Sequence, residues 1–103
     1  MNKTATRKID NLGRLIIPKE IMEKNNYKKG DILEIFLYKN YIYASKVQIE
    51  KVIDEQKKFT HDRKIDNMSR VCIPMEIRKY LNIQTKDDLN IISNGKYLKI
   101  LKI

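Results

Sequence analysis

The sequence predicts a mainly β fold with short helices, built from two tandem repeats that pack together as an intramolecular pseudo-dimer. Three observations predict it. Residues 7–47 and 63–103 align without a gap at an offset of 56, and sixteen of the 41 aligned positions are identical. Chance pairing supplies only a few identities, so the chain carries a duplication, the pattern to look for before any fold is read. Each copy is near the lower limit of length at which a chain buries enough apolar surface alone, so two copies are expected to share one core. Each copy also reads as short β runs around one short helix, in the order β-loop-β-α-β-β, with strands too short for an independent sheet.

In the first copy, Arg7-Lys8-Ile9-Asp10 alternates as a short strand, and Asn11-Leu12-Gly13 is turn chemistry. Leu15-Ile16-Ile17 is a β-branched strand stopped by Pro18, which cannot donate to a ladder but can open a helix. Lys19–Asn25 reads as that helix, with Ile21 and Met22 turned inward, and Asn26 to Gly30 as its polar exit. Leu33–Tyr38 and Tyr41–Val47 form a hairpin around Lys39-Asn40. The second copy repeats the order: Lys64-Ile65-Asp66, the turn Asn67-Met68-Ser69, Val71-Cys72-Ile73-Pro74 and the helix Met75–Leu81. Leu89–Ser93 and Lys96–Ile100 flank Asn94-Gly95, a strong hairpin signal. The two hairpin turns do not align to the residue, which predicts registers that differ by one position. The expected organisation is therefore repeat 1 over 1–47, a connector over 48–62 and repeat 2 over 63–103. Ile49, Val52 and Ile53 have helical spacing, so the connector is expected to hold a short helix lying on the shared core.

Net charge is +9 and the pI about 9.7. Both repeats are basic and the connector is not: ten Lys/Arg against five Asp/Glu in 1–47, nine against four in 63–103, three against four between them. A solvated lysine-rich surface and an anionic partner, chiefly nucleic acid, both account for that balance. Cys72 is the only cysteine and His61 the only histidine. An internal disulfide and a cysteine-based zinc set are thereby excluded, and Cys72 reads as a small buried side chain. With no acid-base pair, nucleophile set or glycine-rich phosphate loop, an enzyme is not expected, nor a metal, cofactor or small-molecule ligand. No signal peptide and no long apolar stretch is found, so the expectation is a cytoplasmic protein without a membrane partner.

The run Asp10-Asn11-Leu12-Gly13-Arg14-Leu15-Ile16-Ile17-Pro18, preceded by Arg7-Lys8 and followed by Glu20-Ile21, resembles the signature of the AbrB/SpoVT-like family of transcription regulators and antitoxin DNA-binding domains. The second copy keeps Arg63, Lys64, Asp66, Arg70, Ile73, Pro74, Glu76, Ile77 and Arg78, with Ser69 in place of the glycine. The resemblance implies a swapped-hairpin β-barrel, which here one chain would supply from both halves. It also implies double-stranded DNA as partner, with possible further self-association. Carried over by position, the DNA-contacting residues are Arg7, Lys8 and Arg14 from repeat 1 and Arg63, Lys64, Arg70, Arg78 and Lys79 from repeat 2. Guanidinium and ammonium groups suit this role by neutralising phosphates, and arginine can also fork onto a guanine edge.

Other readings stay open beside these. Asp10 with Arg14, and Asp66 with Arg70, can be ion pairs that hold their loops, alongside Gly13 and Ser69 as loop-shaping residues. Tyr38, Tyr41, Tyr43 and Tyr97 can cover a small core or stack on bases. An antitoxin-like module that binds DNA and a protein partner is the alternative function, although the chain given reaches Ile103 within a strand, where such a module would continue into a tail. Met22 and Glu23 stand where repeat 2 has Arg78 and Lys79, so unequal half-surfaces and a non-palindromic site are expected.

Overall fold

A computed structural model describes residues 2–47 and 49–103; Met1 and Gln48, the first residues of repeat 1 and of the connector as bounded above, lie outside the described residues. Eight strands and three short helices follow in the order β1 Lys3–Lys8, β2 Arg14–Ile16, α1 Lys19–Lys24, β3 Ile32–Tyr38, β4 Tyr41–Ser45, α2 Lys51–Gln56, β5 Lys58–Lys64, β6 Arg70–Cys72, α3 Met75–Tyr80, β7 Asp88–Ser93 and β8 Tyr97–Lys102. The fold is mainly β, as the sequence predicts, with all its strands in antiparallel sheets.

Among the described residues, only the hairpins β3-β4 and β7-β8 pair within a repeat. Every other ladder crosses between repeats: β1 with β7, β5 with β3, β4 with β8, and β2 with β6. The result is a six-stranded sheet in the order β1-β7-β8-β4-β3-β5, with a separate two-stranded ribbon of β2 and β6, a swapped-hairpin barrel-like arrangement whose large sheet ends at β1 and β5. Leu15 pairs with Val71, its own repeat equivalent, and Tyr43 pairs with Lys99, its own equivalent. A pseudo-twofold axis therefore runs through the centre of the ribbon and the centre of the β4-β8 ladder.

One apolar core fills the space that this exchange encloses, with Ile9, Leu15, Ile17, Ile21, Leu33 and Ile35 from repeat 1 meeting Ile65, Val71, Ile73, Ile77, Leu89 and Ile91 from repeat 2. The helices are too short to persist on propensity and depend on burying Ile21 and Ile77 in it. Pro18 and Pro74 open them with extended backbone. Asn26 and Asn82 close them at φ +56 and +54. Tyr27 N then donates to Met22 O at 2.8 Å and Asn26 N to Glu23 O at 3.1 Å, with Ile83-Arg78 and Asn82-Lys79 repeating the pair, a Schellman closure. Asparagine, not the later glycine, takes the left-handed position that ends each helix.

Several expectations change. β1 begins at Lys3, four residues earlier than expected, because the N-terminal stretch pairs with β7 as far as Ser93. β5 begins at Lys58, inside the expected connector. It carries a bulge opposite Ile35–Leu37, where Phe59 adopts φ +55 and its ring lies 5.7 Å from that of Tyr80. The hairpin registers are the same: Leu37 pairs with Ile42, and their equivalents Ser93 and Leu98 also pair. Lys39 and Asn40 form a two-residue turn with positive φ at both. In the other hairpin the matching residues are Gly95 and Lys96, and Asn94 stands before the turn, its Oδ1 accepting from Lys96 N and Tyr97 N, both at 2.9 Å. The connector helix forms and, with Ile49 just before it, buries Ile53 against Phe36 and Tyr43 on the outer face of the sheet, while Val52 faces solvent. Tyr38, Tyr43 and Tyr97 belong to this second cluster, with Phe36 and Tyr43 rings stacked at 5.5 Å. Tyr41 alone among the four is exposed, with Lys99 Nζ 4.0 Å from its ring centre. Cys72 is half-buried at the ribbon surface, because Val71 is the ribbon residue that points inward.

Half a chain has no partners of its own for β1 and β2, or for the outer edges of β3 and β4. Residues 1–47 expressed alone should accordingly sediment as a homodimer or fail to fold; a cooperatively unfolding monomer would contradict the exchange.

Candidate nucleic-acid interface

The two Asp-x-x-x-Arg loops are built the same way. Asp10 Oδ1 accepts from Leu12 N at 3.0 Å and Arg14 N at 2.8 Å, while Oδ2 accepts from Arg14 Nε at 2.7 Å. Asp66 does the same with Met68 N, Arg70 N and Arg70 Nε, each at 2.8 Å. Burial works against the charge on each aspartate, yet the hydrogen bonds from the arginine backbone and side chain outweigh it and hold both carboxyls below the usual range. Each loop is also tied to the other repeat: Ile73 N donates to Gly13 O and Ile17 N to Ser69 O, both at 2.8 Å. Arg14 and Arg70 are thus half-buried residues engaged in their own loops.

Arg7 and Arg63 lie next to Ile9 and Ile65 in the alternation of their strands, on the face toward the ribbon. Each anchors Nη1 on the preceding carbonyl, Thr6 O at 2.8 Å and Asp62 O at 2.9 Å. Lys8 and Lys64 point to the opposite face, and Lys8 pairs with Asp88 at 2.9 Å. The structure therefore separates the adjacent basic residues that the sequence groups together.

Arg78 reaches from α3 across the axis. Its Nε donates to Ile73 O at 2.8 Å, and its guanidinium covers Gly13, where an added Cβ would sit 2.4 Å from Cζ. Gly13 also stands at φ +80, a conformation that favours glycine. His61 Nε2, 2.5 Å from Glu76 Oε1, ties β5 to the first turn of the same helix. Lys79 is exposed. In the other half, Ser69 at φ +59 replaces the glycine and Met22 replaces the arginine. Ser69 and Met22 line a groove of about 540 Å³ with Arg7, Ile16, Lys19, Lys29 and Met68.

Lys19 and Lys29 are the basic residues that the sequence reading missed. Their repeat equivalents are Met75 and Thr85, so a search for shared positions passes over them. One half thus carries Arg63, Arg78 and Lys79, and the other Arg7, Lys19 and Lys29 beside Glu23. The two faces differ in where the charge lies more than in how much there is.

Residues 6–42 match the family described as antidote-toxin recognition MazE, bacterial antitoxin, which belongs to the same swapped-hairpin superfamily as the AbrB resemblance. No curated protein matches the chain. Among solved structures, the solution structure of PHS018 from Pyrococcus horikoshii is similar, with a TM-score of 0.52 and 21% identity over 97% of this chain and 87% of that chain. It shares the fold. No helix among the described residues is long and apolar enough to cross a membrane.

Two outcomes follow from this geometry. The folded-state pKa values of Asp10 and Asp66 are lowered, so their contribution to stability is intact above the ordinary value of 3.8 and is lost as pH falls through the folded-state values. Replacing both with Asn should lower Tm near neutral pH and flatten its fall in acid, as read by thermal melts across pH. Separately, Gly13→Ser with Arg78→Met reproduces the pair already present as Ser69 and Met22. Urea denaturation should find the double variant more stable than the sum of its single changes predicts, by at least about 0.5 kcal/mol.

Proposed function

We propose that the chain is a double-stranded DNA-binding transcriptional regulator. The observation that carries this reading is the placement of Arg7 and Arg63, on strands related by the pseudo-twofold axis, beside loops that the opposite repeat holds in place. A basic protein with two such half-surfaces fits a duplex, which repeats its phosphates along two strands. Arg14 and Arg70 set the loop shape through Asp10 and Asp66 and bring their own charge to the same face. Arg78 and Lys79 extend the contact in one half, Lys19 and Lys29 in the other. Lys8 and Lys64 add to the long-range attraction from the opposite strand face. Because the charges occupy different positions in the two halves, the preferred site is non-palindromic.

The match of residues 6–42 to an antitoxin family supports a second reading, an antitoxin-like module that binds DNA through the same face and a protein partner elsewhere. The readings differ in whether a protein partner changes DNA affinity.

If about six basic side chains meet phosphates, the slope of log affinity against log salt lies near −5. Arg7→Ala with Arg63→Ala should bring that slope about two closer to zero and leave Tm close to normal, since among the described residues each side chain bonds to a neighbouring carbonyl alone. Fluorescence anisotropy with duplex DNA across a salt series reads both quantities. A flat salt dependence argues against nucleic acid as the partner.

A further inference from the structure

Leu12 and Met68 are large apolar side chains left 60% and 65% exposed, and they are repeat equivalents, so the exposure occurs twice in one fold. Neither is needed to shape its loop. Asp10 and Asp66 grip the tips through backbone N–H groups, and the Gly13 and Ser69 carbonyls dock them on the opposite repeat. The tips are therefore rigid presenters of apolar surface whose ordering cost is already met in folding. Ile16, 46% exposed, continues the apolar surface beside Met68. Met68 and Ile16 share their groove with Arg7, Lys19 and Lys29 against the single carboxylate Glu23, so this apolar surface has a rim of net positive charge.

We propose that Leu12 and Met68 contact thymine methyl groups in the major groove, adding sequence preference to the phosphate contacts; this rests on the DNA-binding reading above. The β2-β6 ribbon joins the two tips, and a major groove about 12 Å wide admits a two-stranded ribbon. There the C5 methyl of thymine is the apolar feature on the base edges. The cationic rim then meets the phosphates that border the groove. A second copy of this chain fits the surface less well, because two +9 proteins would bring the same cationic rims together.

The test uses the full chain and a duplex that it selects from a random-sequence pool, compared with the same duplex carrying deoxyuridine at every thymine. Removing the methyls should weaken wild-type binding about fourfold for each methyl contacted. Leu12→Ser with Met68→Ser should bind the thymine duplex more weakly, lose its sensitivity to deoxyuridine and keep the wild-type salt slope. Wild-type indifference to deoxyuridine overturns the proposal without reference to any variant. So does undiminished sensitivity in the double variant. A wild-type dimer that the double variant breaks into monomers would assign the surface to self-association and also overturn it. A chain that binds no duplex at all overturns the DNA reading, and this proposal with it.

Discussion

The ladders that cross between repeats govern everything else in the molecule. Outside its own hairpin, each strand finds its hydrogen-bonding partner in the other half. Backbone donors and acceptors left unpaired in a buried sheet are costly, so neither half can close its sheet or its core alone. The exchange also builds the candidate interface. Each loop is fixed by a carbonyl-to-amide bond to the opposite repeat, and Arg78 of one half rests on Gly13 of the other. Any surface made of these loops is a property of the pair.

Much of this was legible in the sequence because the repeat identities mark backbone demands. Pro18 and Pro74 open the helices, Asn26 and Asn82 supply the left-handed residue that ends them, and Asp10 and Asp66 accept the loop amides. Asp31 and Asp87 likewise cap equivalent turns, accepting from Lys28 N and Gln84 N at 2.8 Å. Positions held to one residue type by geometry survive divergence between the copies, and they carry the family resemblance too. What stayed hidden depends on the partner strand. Lys3–Thr6 and Lys58–Asp62 have weak strand patterns of their own, and become β1 and β5 because β7 and β3 offer free edges. Spacing alone also could not separate Arg7 from Lys8, which neighbour each other in sequence and face opposite ways in a strand.

Joining both halves in one chain has a further consequence. In a homodimer of identical chains, any substitution appears on both sides of the axis. Here each side diverges alone, but a residue that crosses the axis must fit what it meets. Gly13 lies under Arg78, and the equivalent positions hold Ser69 and Met22, where a residue with a Cβ is matched by a side chain without the guanidinium. Asn25 accepts a hydrogen bond from Ser93 in the buried interior, while the equivalent positions hold the apolar pair Leu81 and Leu37. In both cases the two members of a cross-repeat pair differ together. Packing at close contact explains this, since a lone polar group in the core or a Cβ against a guanidinium is destabilising unless its partner also changes. The surface is under no such restriction, which is why Lys19 and Lys29 could gain charge where Met75 and Thr85 have none. The buried asymmetry is compensated pair by pair, and the exposed asymmetry is left free to distinguish one half of a binding site from the other.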